Sequence, residues 1–127
     1  MTPRVRGGRG GRLAPVLAVT LLLGVACSTS GHFVRTGPPH PPRPDNCEID
    51  FFMGGGRPTR PYVPIARIDV LLKGANWFPP SMDDVVTELR KQACFAGAEA
   101  VIDIETTGGS QTESSTLRAQ ATAVRWR

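Results

Sequence analysis

Downstream of residue 46, apolar positions fall into four alternating runs and one helical stripe. Residues 47–52 place Cys47, Ile49 and Phe51 on one face and Glu48 and Asp50 on the other, which predicts a strand. Gly54-Gly55-Gly56 ends it. Pro58 and Pro61 follow, with no helix behind the glycines, so the run reads as a turn and loop and not as a phosphate cradle. Residues 65–72 predict a second strand, with Ala66, Ile68, Val70 and Leu72 facing one way and Arg67 and Asp69 the other. Trp77, Phe78 and the pair Pro79-Pro80 then lead to a helix over residues 82–96. Ser81 can accept from the amide of Asp84, a capping-box start with Asp in place of Glu, and Asp83 and Asp84 sit at the positive end of the helix dipole. Met82, Val85, Val86, Leu89, Ala93 and Ala96 form its apolar stripe, and Gly97 is the stop. Residues 98–105 predict a third strand, with Ala98, Ala100, Ile102 and Ile104 inward and Glu99, Asp103 and Glu105 outward. After a turn at 106–110, residues 114–126 predict the last strand, with Leu117, Ala119, Ala121 and Ala123 on the inner face and Arg118, Gln120, Thr122 and Val124 on the outer.

The predicted order is β-β-α-β-β, an α+β two-layer sandwich: a four-stranded, largely antiparallel sheet with one helix on one face. The charges on the other face are expected to pair across neighbouring strands, each pair contributing a few tenths to about 1 kcal/mol. Ile65, Leu71, Val101, Val124 and Trp126 interrupt that polar face and are candidates for a contact surface. Trp77 and Phe78 are a second candidate, as a peptide-binding ledge or as a lid over one end of the core.

The first 46 residues read differently. Residues 1–12 are polar and basic, residues 13–23 are largely apolar, and Gly24-Val25-Ala26 leads to Cys27. This is the layout of an export signal over residues 1–26, with an apolar run short of the about 20 residues a membrane span needs. In residues 28–46 prolines 38, 39, 41, 42 and 44 crowd one half, with Ser, Thr and Gly in the other. No strand or helix is expected there, and residues 27–46 read as an attachment cysteine with an extended tether of up to about 60 Å. Residues 47–127 form the folded domain. His32 and His40 both fall in the tether, which gives them no preformed metal geometry.

Charge then changes meaning with position. The formal net charge of +4 and pI near 9.5 would suggest nucleic acid. However, Arg4, Arg6, Arg9 and Arg12 lie in the signal, and from Cys27 onward 11 cations face 11 anions. Nucleic-acid binding is not expected. An exported chain meets an oxidising compartment, so Cys47 and Cys94 are expected to bridge, although Cys94 lies off the apolar stripe of the helix. No histidine occurs in residues 47–127 to activate a thiol or hydroxyl, and no catalytic constellation is evident. The chain is read as non-enzymatic, without catalytic residues, metal ligands or cofactor.

Residues 21–27, Leu-Leu-Leu-Gly-Val-Ala-Cys, resemble the lipobox of bacterial lipoproteins. That resemblance implies cleavage before Cys27, a diacylglycerol on its thiol and acylation of the new amino group. Gly24 stands where that family usually has an aliphatic residue, and Gly24-x-Ala26 also fits ordinary small-x-small cleavage, which would leave Cys27 unmodified. Ser28, where an Asp would imply inner-membrane retention, points to the outer membrane. The block Leu89-Arg90-Lys91-Gln92-Ala93-Cys94-Phe95-Ala96-Gly97-Ala98-Glu99-Ala100-Val101-Ile102 resembles the helix-to-strand step of small envelope lipoproteins. It is similar to the YbjQ-type domain and to the disulfide-bearing Rcs stress-sensor lipoproteins, over about residues 60–104. The metal-binding label once given to the former does not transfer, because no ligand cluster matches. The resemblance implies a membrane-anchored interaction or sensor domain in the envelope, with membrane lipid as one partner and another envelope protein as the second. The alternative is a structural or ligand-binding lipoprotein for a metal, lipid or glycan.

Overall fold

A computed structural model describes residues 28–110 and 114–127; residues 1–26, where an export signal is expected, Cys27 and residues 111–113 lie outside the described residues. The elements are β1 (Ser28–Arg35), β2 (Asp50–Phe51), β3 (Tyr62–Ala75), the helix α1 (Met82–Ala96), β4 (Ala100–Ser110) and β5 (Ser114–Trp126). They build a five-stranded mixed sheet in the order β1-β3-β5-β4-β2. All neighbours are antiparallel except β2, which runs parallel to β4 over two residue pairs. The α+β class and the helix on one face agree with the expected architecture. The strand count does not, because residues 28–35 are an edge strand and not tether.

β1 pairs with β3 over eight positions, from Ser28↔Lys73 to Arg35↔Ala66. Its inward face offers only Gly31 and Phe33, both partly buried, which is too little for an alternating pattern to show. The proline-rich stretch that follows is also tied down. The Arg43 amide donates to the Cys94 carbonyl at 2.8 Å, the Arg43 guanidinium donates to the Ala98 carbonyl, and the Cys47 amide donates to the Pro44 carbonyl at 2.9 Å. The segment thus runs as a strap under the C-terminal end of α1, from one edge of the sheet to the other.

The helix matches its prediction at both ends. Ser81 Oγ accepts from the Asp84 amide at 3.3 Å while Asp84 Oδ2 accepts from the Ser81 amide at 3.0 Å, which closes the capping box. Gly97 ends the helix in the left-handed region at φ 85°, and the Ala98 amide returns to the Ala93 carbonyl at 2.9 Å. A side chain at Gly97 would also collide with the strap, since its Cβ would lie 2.7 Å from the Pro41 carbonyl oxygen. Val85, Leu89, Ala93, Cys94 and Ala96 are buried, whereas Met82 is exposed and Val86 only partly covered. They pack on Ala66, Ile68, Val70 and Leu72 of β3 and on Ala119, Ala121 and Ala123 of β5, whose small side chains let the helix approach closely.

Two bulges correct the expected faces. In β3 the register against β5 slips between Pro64 and Ala66, so Ile65 turns to the helix side and is buried there. Proline has no amide to give the ladder, and bulges are where strands tolerate it. In β4 the register slips between Ile102 and Glu105, at Asp103, whose φ of 53° a short polar side chain accepts more readily than most. Beyond this bulge Ile104 packs on the helix side; before it, Val101 is the inward residue, while Ala100 and Ile102 point away from the helix. The predicted inward set of Ala98, Ala100, Ile102 and Ile104 therefore splits between two faces. The first predicted strand also shrinks to Asp50–Phe51, although Cys47 and Ile49 remain in the core.

Candidate interaction surface

Ala100, Ile102 and Val124 form a second small core on the face away from the helix, with Phe52, Tyr62 and Trp126 packed against it. The chain covers it with its own loop between β2 and β3. Arg60 stacks over the Trp126 ring at 4.3 Å, and Arg57 donates to the Tyr62 hydroxyl at 3.0 Å and pairs with Asp103 at 2.8 Å. Of the residues expected to interrupt this face, Val101 and Ile65 belong to the helix-side core, Val124 is fully buried, and Trp126 is half-covered by Arg60. Leu71 alone of the set is exposed, at 39%. The glycines 54–56, read as a turn, serve that covering loop, and Gly54 and Gly55 both have positive φ.

The middle of this face is polar, as expected. Arg118 donates from Nε to Asp69 Oδ1 at 3.1 Å and from a terminal nitrogen to Oδ2 at 2.6 Å, a two-pronged pair between β3 and β5. The guanidinium holds the Asp69 carboxyl below the usual carboxylate range, chiefly by hydrogen bonding and then by its charge, against an opposing desolvation effect larger than the charge effect alone. On the other edge Glu99 accepts from the Trp126 amide at 3.1 Å and lies 3.9 Å from Arg125.

Cys47 and Cys94 are bonded, with Cα atoms 5.9 Å apart. Cys94 is fully buried at the end of α1, not on an open flank. The helix presents it toward the residues that follow the strap, and Arg90 donates to the Cys47 carbonyl at 3.1 Å beside it. His32 and His40 stay apart: His32 lies opposite Asp69 on β1, and His40 packs against Gly97. Among the described residues no group of three His, Cys, Asp or Glu side chains is placed to hold a metal ion. No helix among them is long and apolar enough to cross a membrane.

Trp77 and Phe78 stand out at the end of the sheet where β3 turns into α1. They are 85% and 72% exposed. Neither acts as a lid on the core. The turn is tight: a Cβ at Gly74 would come within 2.8 Å of the Phe78 carbonyl oxygen, and the Phe78 amide donates to the Ala75 carbonyl at 3.0 Å. Pro79 and Pro80 then hold the chain extended into the Ser81 cap. Ser28 shares a cleft of about 310 Å³ with Phe78, Pro79, Pro80 and Gly74. The sequence singled out the aromatic pair but not the nearness of Phe78 to Ser28, because the strand that brings Ser28 there was not foreseen.

No family model matches the chain, and no curated protein matches it. Among solved structures, the Francisella virulence factor FvfA is similar, at 15% identity and a TM-score of 0.47, over 74% of this chain and 97% of that one. A likeness of that degree assigns neither a family nor a function.

Proposed function

We propose that the chain is a lipoprotein of the bacterial envelope, acylated at Cys27 and held on the outer membrane facing the periplasm, whose domain is a non-catalytic module that engages another envelope protein. The observation that carries the reading is the sequence from Leu21 to Cys27, with the basic and apolar segments before it. The Cys47–Cys94 disulfide supports export, since such bonds persist in oxidising compartments. A neutral mature charge balance, no histidine in residues 47–127 and no assembled catalytic or metal cluster among the described residues support a binding role over an enzymatic one.

Two surfaces remain available to a protein partner: the polar face around Leu71, Asp69 and Arg118, and the outer edge of β1. The resemblance of residues 89–102 to the envelope lipoproteins is consistent with such a role and supplies no contact residue. Mass spectrometry of the mature N-terminus tests the anchor: a diacylated or triacylated Cys27 is expected, and a free thiol there refutes it. A photo-crosslinking residue in place of Leu71, in intact cells, tests the partner. One dominant protein adduct that is lost with Asp69→Lys supports it; cross-links spread evenly over envelope proteins count against it. The ligand-binding alternative predicts saturable heat on titration with divalent metal, and a flat response removes that branch.

A further inference from the structure

We infer that the end of the domain carrying Trp77 and Phe78 lies in the headgroup layer of the bilayer that anchors the chain. The inference rests on the lipoprotein reading of Cys27 and adds to it an orientation and a contact. Ser28 is already in β1, paired with Lys73, so the attachment residue is one Cα–Cα step of about 3.8 Å from the sheet. The expected tether of nineteen residues does not exist to lift the domain away. Whatever end of the fold Ser28 occupies is the end nearest the lipid.

That end is built from three pieces. The first is the start of β1. The second is the turn of Trp77 and Phe78, which have the highest exposures among the large apolar side chains of the described residues; Phe78 shares a cleft wall with Ser28. The third is the tip of the β4–β5 hairpin, which reaches the same place because Ser114 pairs with Ala75 and Ser115 Oγ lies 2.8 Å from Asn76 Oδ1. The described residues of that tip are Gly108, Gly109, Ser110, Ser114, Ser115 and Thr116, all uncharged. Trp is the side chain most at home at a membrane–water interface, where its ring meets acyl chains and its N–H meets water or headgroups.

The charges at this end define the kind of contact. Lys73 is accompanied by Asp83, Asp84 and Glu88 on the first turns of α1. The acids outnumber the base, so attraction to anionic headgroups is not the driving force. The contact is apolar and aromatic, and it should survive on neutral lipid and at high salt.

The test uses the full processed chain, acylated at Cys27, in phosphatidylcholine vesicles with or without brominated acyl chains. The protein has two tryptophans, so wild type is compared with Trp77→Phe. Bromine is expected to remove about half or more of the Trp77 emission while leaving Trp126, in Trp77→Phe, unquenched. Raising salt to about 0.5 M, where the Debye length is a few ångströms, should not change the quenching. Unquenched wild type on a chain shown by mass to carry acylated Cys27 overturns the orientation and leaves the lipoprotein reading standing. Equal quenching of wild type and Trp77→Phe overturns it too, by placing Trp126 in the bilayer, and loss of quenching at high salt overturns the apolar contact. An unmodified Cys27 removes both readings together.

Discussion

Reduction of the Cys47–Cys94 disulfide should cost the domain a large part of its stability. The bond closes a loop with a sequence separation of 47, and the loop contains β2, β3 and most of α1. In the chain-entropy model a loop of that length restricts the unfolded state by about 4 kcal/mol at 25 °C. Small domains have only about 5–15 kcal/mol in total. The core here is thin, and seven of its buried residues are alanine, counting Ala66, Ala93, Ala96, Ala98, Ala119, Ala121 and Ala123. Reduction isolates the cross-link from packing, because both sulfurs remain in place and Cys94 stays buried; a Ser substitution would add a hydroxyl to the core. The assay is urea unfolding of the disulfide-bonded chain with and without dithiothreitol, followed by tryptophan fluorescence, with thermal melts in parallel. The reduced protein should unfold about 4 kcal/mol more easily, which at about 4–8 °C per kcal/mol is a melting point lower by about 15–30 °C. Its denaturant slope should also rise, since the unfolded chain is no longer held compact. A difference below about 1 kcal/mol, with full reduction confirmed by alkylation, would refute the entropic reasoning.

Other substitutions probe other parts of the fold. Gly97→Ala combines a left-handed backbone with a clash on the Pro41 carbonyl, so it should destabilise by about 1–3 kcal/mol in the same urea assay and loosen the strap, read as faster hydrogen exchange at the Arg43 amide. Ser81→Ala opens the capping box and should cost about 1 kcal/mol, with a fraying helix start seen by exchange at Asp84. Asp69→Asn should make the domain less sensitive to acid. Pairing with Arg118 depresses the folded-state value, so the contribution of Asp69 is complete above about pH 5 and is lost as pH falls through that lowered value; unfolding curves between about pH 5 and 2 should converge for wild type and variant.

The helix was legible end to end because each of its signals is local: the Ser81–Asp84 box, the stripe through Val85, Leu89, Ala93 and Ala96, and the stop at Gly97. β5 was legible because Leu117, Ala119, Ala121 and Ala123 alternate with Arg118, Gln120 and Thr122. The bulges were not. A strand that gains one residue reverses every face beyond it, and nothing in the alternation marks where the extra residue sits. Pro64 hinted at the first bulge and Asp103 left no hint of the second. For the same reason the supposed contact surface dissolved. Ile65 and Val101 were assigned to the outer face by counting in twos, and the bulges put them in the core. Val124 was assigned correctly to the outer face, but the second core that covers it depends on a loop of glycine, proline and arginine whose path the sequence does not encode by pattern.

β1 was missed on different grounds, and that omission matters most for function. An edge strand that buries one glycine and one phenylalanine needs no amphipathic pattern; its stability comes from eight pairings with β3, a strand already fixed by its neighbours. Composition alone therefore assigned residues 28–46 to a tether. Assigned to the fold instead, they shorten the distance between the proposed anchor at Cys27 and the domain from about 60 Å of possible reach to a single residue. The consequence for a partner is specific. On the proposed lipid attachment, a tethered domain could meet proteins deep in the periplasm, whereas a domain whose first strand begins one residue from Cys27 would be confined to the membrane surface, with Leu71 and the Asp69–Arg118 pair displayed on the sheet face away from the helix. Under that proposal, a protein that engages this face would itself be membrane-borne or come to the membrane. Lengthening the chain between Cys27 and Ser28 with a flexible glycine–serine insert should then release Trp77 from brominated lipid without changing the fold. A Trp77 that stays quenched after the insert would mean that the aromatic pair, rather than the anchor, holds the domain down.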